Sequence, residues 1–147
     1  MTRATVITDA SFCDKEQIGG WAAWVRIDGR AEPIKKYADF RVPVRNSREA
    51  EMFAAVNGIW LAAKYGATEV LVQTDCVAVV DMLNGATQKK SLKRDFAAAM
   101  QKAGVAAVKR SAKHVRGHTT VSDARSYVNR WCDKMAKTAM RRQRCAR

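Results

Sequence analysis

Two β-prone runs in this chain each end on the dipeptide Thr-Asp, and that repeated ending narrows the possible folds more than any other feature. Near the N-terminus 4-ATVITDAS-11 reaches Thr8-Asp9, and further on 70-VLVQTDCVAVV-80 reaches Thr74-Asp75. Val70, Leu71 and Val72 are apolar residues of a buried strand. A carboxylate at the end of such a strand is costly unless it is paired or bound to a cation. Each aspartate would also serve as a cap for the segment that follows it, Asp75 for a helix over 76–83. If the two strands are neighbours ending on the same edge, both carboxylates enter one crevice, the usual ligand position in α/β sheets. Clustered carboxylates repel, which raises the pKa of one of them unless cations intervene. Hard oxygen donors with positions left for water and phosphate suit Mg²⁺ or Mn²⁺.

The rest of the chain supplies elements to build such a sheet. The first strand is expected over 3–8, followed by a polar turn, 9-DASFCDKEQIGG-20, and a second strand, 21-WAAWVRID-28. Asp28-Gly29 is a hairpin turn signal, so a third strand over 34–42 completes an antiparallel trio. Asn46 or Ser47 caps a helix that carries Glu49 and Glu51 in its first turn and stops near Tyr65, with Gly66 at the C′ position. Met52, Val56, Ile59, Trp60 and Ala63 recur at helical spacing and should face the core. Strand four is expected over 69–74, then a short helix to Leu83, a helix over 89–103 stopped by Gly104, a lysine-rich fifth strand over 105–115, and a helix over 122–142. The order βββαβααβα predicts an α/β fold with a five-stranded mixed sheet flanked by helices. A catalytic domain over 1–142 and a basic tail over 143–147 are the expected divisions, the run from 141 onward being one that should fray.

Charge narrows the partner. Twenty-seven Lys and Arg against 14 Asp and Glu give +13 over 147 residues, a surplus that in one small domain points to a polyanion and, with no helix pairing a basic face to a strong aromatic face, to nucleic acid rather than a membrane. No apolar run approaches the roughly 18 residues of a membrane span. With no charged n-region leading into an apolar stretch, a cytoplasmic protein is expected. The four cysteines, Cys13, Cys76, Cys132 and Cys145, contain no C-x-x-C pair, so neither a zinc site nor disulfides are expected. A monomer is the expected state.

Five segments, in order, resemble type 1 ribonuclease H, of the ribonuclease H-like superfamily. Thr8-Asp9-Ala10-Ser11 with Gly19-Gly20-Trp21 is similar to its opening hairpin, and 51-EMFAAV-56 to its first helix. Thr74-Asp75 is similar to its T-D-S strand end, 115-VRGH-118 to its V-K-G-H loop, and 129-NRWCDKMA-136 to its N-x-x-C-D-x-L-A helix. The resemblance implies four metal-binding carboxylates, Asp9, Glu51, Asp75 and Asp133. Helix phase leaves Glu49 open beside Glu51, since Glu49 projects nearer the apolar face while Glu51 shares a side with Ala55, Gly58 and Ala62. The match of 51-EMFAA-55 selects Glu51. For His118 the resemblance implies help with proton transfer or product departure, and His114 receives no role.

The implied activity is that of an endonuclease, a divalent-metal-dependent hydrolase cutting the RNA strand of RNA–DNA hybrids with two Mg²⁺ ions, or Mn²⁺ in their place. Two such ions, about 3.5–4 Å apart, would activate a water and bear the leaving oxygen, with no amino-acid nucleophile required. Hybrid recognition would read phosphates and ribose 2′-hydroxyls. Ala10, Ser11 and Cys13 in the first turn (with Phe12), Ser47 and Arg48 at the first helix start, and Asn129 are candidate substrate contacts. Departures from the family pattern are a first turn without G-N-P-G-P, Val77 where a glutamine is common, a longer loop between His118 and Asp133, and no Trp-rich basic protrusion. Lys89, Lys90, Lys93 and Arg94, with Arg141, Arg142 and Arg144, would supply charge instead, as in compact phage or bacterial variants. A different nuclease of the same fold, acting on junctions or transposon ends, and a non-catalytic basic hybrid- or RNA-binding module remain the alternatives at this point. If the basic surface drives binding, hybrid affinity measured against salt should fall on a log–log slope of about −0.9 per phosphate neutralised, taking duplex B-DNA as reference. An affinity flat from low to moderate salt would contradict this.

Overall fold

The structure is a computed structural model that describes residues 1–115 and 124–145. Its elements follow the expected order: β1 Arg3–Cys13, β2 Ile18–Ile27, β3 Ile34–Asp39, α1 Ser47–Lys64, β4 Glu69–Thr74, α2 Val77–Leu83, α3 Lys90–Lys102, β5 Lys109–His114 and α4 Ala124–Cys145. The five strands form one mixed sheet in the order β3-β2-β1-β4-β5. β1 pairs antiparallel with β2 and parallel with β4, and β4 pairs parallel with β5.

Alternation along β1 divides the molecule into two layers. Val6, followed by Ala10 and Phe12, packs into the large core with α1, whereas Ile7 packs with Ala22 and with Val128, Cys132 and Ala136 of α4 on the opposite face. α1 is apolar on more than one side because it is the buried helix: Met52, Val56 and Ile59 are enclosed, and Ala54, Ala55 and Ala62 are fully covered. Trp60 and Ala63 pack against this core from a partly buried position. Asn46 is the N-cap, its Oδ1 accepting from Glu49 N at 2.9 Å. The stop comes where glycine permits it, with Gly66 at φ +96° and Ala67 N donating to Ala62 O at 3.1 Å.

Boundaries move where packing continues beyond the local signal. β1 extends to Cys13 and β2 begins at Ile18, so the long polar turn contracts to four residues, because Ser11 pairs with Gly20 and Phe12 with Gly19. β3 ends at Asp39, short of 42, as Phe40 turns inward to meet the Phe53 ring at 6.4 Å between centroids. β5 starts only at Lys109; before it Val105 N donates to Met100 O and Val108 N to Val105 O, closing a turn over residues otherwise suited to a strand. α4 runs helical through Cys145 rather than fraying from 141, since Gly19 N donates to Gln143 Oε1 at 2.8 Å and Arg144 Nε pairs with Glu16 Oε2 at 2.8 Å.

No helix among the described residues is long and apolar enough to cross a membrane. Cys13, Cys76, Cys132 and Cys145 are all free thiols.

Two glycines set how closely the helices approach the sheet. A Cβ on Gly58 would lie 2.6 Å from Val6 Cγ1 and 2.7 Å from Thr8 Cγ2, so α1 rests directly on β1. A Cβ on Gly20 would lie 2.4 Å from Ala136 O and 2.6 Å from Met140 N, so α4 does the same on β2 from the other side. The Gly20 neighbours are backbone and cannot rotate away. Gly20→Ala should therefore lift α4 and cost about 1–3 kcal/mol. The check is a lower urea midpoint at unchanged slope, and an unshifted midpoint would mean that α4 does not bear on this glycine.

Candidate metal centre

The parallel register of β1 against β4 carries the site. Arg3 stands opposite Glu69 and Ile7 opposite Gln73; the same offset continued two residues brings Asp9, still within β1 and opposite Ala22 of β2, level with Asp75 just past the end of β4. α1 delivers the third carboxylate from above. One oxygen from each of Asp9, Glu51 and Asp75 lies within 4.8 Å of the others. Ala10 N–H lies between the first two, donating to Asp9 Oδ1 at 2.9 Å and to Glu51 Oε1 at 3.3 Å.

The competing reading of Asp75 as a helix cap does not hold. Cys76 is the N-cap of α2, without a side-chain bond, and the turn is held by Cys76 N donating to Thr74 Oγ1 at 3.2 Å. Glu49 is likewise drawn elsewhere: it forms an ion pair with Arg45 at 2.7 Å, and Arg45 Nη2 also lies 3.5 Å from Asp95 Oδ2. That leaves Glu51 as the α1 carboxylate beside Asp9.

Electrostatics show what the cluster lacks. Burial, reinforced by the Asp9 and Asp75 charges, pushes Glu51 up to about 9. Burial and the Asp75 charge push Asp9 up to about 7, although the Ala10 amide works in the other direction. The contact between the two carboxyls raises Glu51 and lowers Asp9. Glu51 Oε2 is buried with no hydrogen-bond partner among the described residues, an unusual vacancy for a polar atom. Three converging carboxylates, one of which carries a buried oxygen without a partner among the described residues, fit a hard divalent cation better than they fit any protein donor.

Asp133 stands one step away. It lies on α4 beside Cys132, whose Sγ donates to Ile7 O at 3.6 Å. Its charge contributes to raising Asp9, whereas Glu51 responds to Asp9 and Asp75. Asp9 is thus the carboxyl raised by both Asp75 and Asp133. Lys137, one turn along α4, pairs with Asp133 Oδ2 at 3.1 Å. The sequence reading passed over Lys137, although its i+4 spacing was a usable signal. Burial, then the Asp9 and Asp133 charges, push the Cys132 thiol well above its ordinary range, so it remains an unreactive thiol.

His118 and most of the loop leading to α4 lie outside the described residues. His114, given no role from sequence, ends β5 with Nε2 3.2 Å from the Asp75 carbonyl oxygen, steadying the backbone of that aspartate. Ser47 and Arg48 line a groove of about 890 Å³ that also takes in Phe12, Arg45 and Arg94. Lys89 and Lys90 are exposed at the start of α3. Ala10, Ser11 and Cys13 lie on the extended end of β1, partly buried, with Ser11 Oγ donating to Met140 Sδ at 3.4 Å. Asn129 is half-buried one turn before Asp133 on α4.

This sheet, with Asp9 of β1 and Asp75 just after β4 gathered beside Glu51, defines a ribonuclease H-like fold. The RNase H family model matches residues 1–141, and the chain belongs to that family of nuclease hydrolases. The N-terminal RNase H domain of a Mycobacterium tuberculosis protein is similar in structure, with a TM-score of 0.75 at 18% identity over 99% of both chains. RNase H1 of the halophilic archaeon Halobacterium salinarum gives 0.65 at 17% identity, over 93% of this chain and 96% of that one. LC11-RNase H1, solved in complex with an RNA/DNA hybrid, gives 0.67 at 16% identity, over 95% and 98%. No curated protein matches the chain.

The raised carboxyls make a stability prediction. Their native pKa values lie above the ordinary 3.8 and 4.5, so the native state binds more protons than the unfolded chain, and stability falls as pH rises through that interval. Melting in a chelator should show Tm declining from about pH 5 to about pH 9. Glu51→Gln should flatten the decline, and saturating Mg²⁺ or Mn²⁺ should reduce it, because a cation takes the proton's place. A metal-free Tm equally flat in wild type and Glu51→Gln would refute the assignment.

Proposed function

We propose that the chain is an endonuclease that hydrolyses the RNA strand of RNA–DNA hybrids with two divalent cations, Mg²⁺ or Mn²⁺. The observation that carries the reading is the convergence of Asp9, Glu51 and Asp75, with a buried Glu51 oxygen that has no partner among the described residues. In this reading those three residues hold one cation, and Asp9 with Asp133 holds the other. Bound divalent ions supply Lewis acidity that lowers the pKa of an attacking water and offsets charge on the leaving oxygen.

The chain's own residues prepare that chemistry. Ala10 N–H orients Asp9 and Glu51 together, and the pairing of β1 with β4 holds Asp75 opposite. A carboxyl raised as Glu51 is would have to lose its proton to hold a cation, so metal affinity should rise with pH. Thr74, Val72 and Val70 are buried beneath Asp75, excluding water from that side. The groove with Ser47, Arg48 and Arg94, and the exposed Lys89 and Lys90 near it, are candidate sites for the sugar-phosphate backbone. These contacts carry little sequence information, which suits an enzyme that reads ribose 2′-hydroxyls. Support for a hybrid substrate comes from family membership and from the hybrid seen with LC11-RNase H1.

The test is cleavage of end-labelled RNA–DNA hybrid, double-stranded RNA and double-stranded DNA with and without Mg²⁺ or Mn²⁺. Metal-dependent cutting of the RNA strand in the hybrid alone is expected. Asp75→Asn should lower kcat by roughly a thousandfold, the several kcal/mol that metal-held charge contributes at the transition state. An Asp75→Asn protein as fast as wild type would remove the metal centre from the mechanism.

A further inference from the structure

Asp133 differs from the other three carboxylates in having a cation already. Lys137 Nζ lies 3.1 Å from its Oδ2, and both side chains are open to solvent, 33% exposed for Asp133 and 45% for Lys137. Asp9, Glu51 and Asp75 have no Lys or Arg ion pair among the described residues. The four carboxylates are therefore divided: three converge with no protein cation, and one is held by a tethered ammonium.

Backbone packing keeps that division in place. Ala136 and Met140, on the turns that follow Asp133, sit against Gly20 with no room for a Cβ. Gln143 and Arg144 then fasten the end of α4 to the β1–β2 hairpin. Because Asp133 and Lys137 lie one turn apart on the same helix, movement of α4 carries them together, and the pair opens by side-chain rotation. An exposed pair of this kind is weak, and a divalent ion or a polyanion can break it.

We propose that Lys137 is a positioning residue that acts as a resident counterion of Asp133, so that in the free protein the cation shared by Asp9 and Asp133 binds more weakly than the one among Asp9, Glu51 and Asp75. Its ammonium neutralises Asp133 and repels an incoming ion. When nucleic acid arrives, the phosphates offer Lys137 another partner, and Asp133 is released to the second cation. Loading of that cation is thereby coupled to substrate. The inference rests on the two-cation reading above.

The experiment is Mn²⁺ titration of the full chain without nucleic acid, followed by calorimetry and by the electron paramagnetic resonance signal of free Mn²⁺. Wild type should bind one ion well and a second more weakly. Lys137→Met should tighten the second ion about fivefold, the effect of losing an exposed ion pair, and leave the first unchanged. Lys137→Arg, which keeps the charge, should behave as wild type. Adding Asp133→Asn to Lys137→Met should abolish the gain. Lys137→Met isotherms that overlay wild type, or a Lys137→Arg protein that tightens as much as Lys137→Met, would overturn the proposal. Asp9→Asn separates the two levels: if it binds Mn²⁺ as wild type does, the metal centre itself is wrong, whereas loss of binding there with no effect at Lys137 condemns only the counterion role.

Discussion

Parallel pairing between β1 and β4 is the constraint on which everything else in this molecule depends. It joins two strands distant in sequence at a fixed offset, and that offset makes Asp9 and Asp75 neighbours. Both strands are buried by their valines, Val6 at one and Val70 and Val72 at the other, so a slip of one residue would turn those valines toward the wrong layer. The hydrophobic register therefore also fixes the carboxylate spacing. Like charges that would separate in a flexible loop are held together by apolar packing several residues away.

Helix placement completes the arrangement through small side chains. α1 reaches the sheet over Gly58, with Ala54, Ala55 and Ala62 covered along it, and the close approach lets Glu51 share the Ala10 amide with Asp9. α4 reaches the other face over Gly20, with Cys132, Ala136 and Ala139 buried, and brings Asp133 into the field of Asp9. A bulkier side chain at either glycine would move a carboxylate as well as a helix. The native protein retains a buried Glu51 oxygen, unpartnered among the described residues, that a more stable fold would eliminate. Such a cost is common where a site is shaped for a ligand rather than for the fold.

Much of this was legible in the sequence because it is local. The Thr74-Asp75 strand ending, the Asn46 cap, the Gly66 stop and the element order all follow from periodicity and capping, and the structure reproduces them, whereas Thr8-Asp9 lies inside β1, which runs on to Cys13. What sequence could not decide is three-dimensional. Glu49 and Glu51 were separated by family resemblance, not by helix phase. The structural reason is that Arg45 takes Glu49 to the outer end of α1. The extension of β1 and β2 past Asp9 depends on two glycines whose value lies in what they let approach, which composition does not reveal. The helical order of α4 to Cys145 comes from Gln143 and Arg144 meeting a distant hairpin, where the local sequence reads only as a basic tail.

Val77 shows how substrate recognition can change around an unchanged metal centre. It begins α2 two residues after Asp75 and is 57% exposed, an apolar branched side chain where the family resemblance implies a glutamine. Valine offers no hydrogen bond to a base edge or a ribose, so under the proposed function that contact is lost rather than replaced in kind. The groove beside it contains Arg45, Arg48 and Arg94, but Arg45 is already engaged by Glu49 and Asp95, which leaves Arg48 and Arg94 as its remaining arginine charges. Binding would then shift from contacts that read the nucleotide toward contacts that read only phosphate. Such an enzyme would depend more on ionic strength than one with the glutamine, and it would discriminate its substrate through duplex shape and the 2′-hydroxyl at the cleavage site. The large basic surplus is what a small domain needs when its sequence-neutral grip is mostly electrostatic.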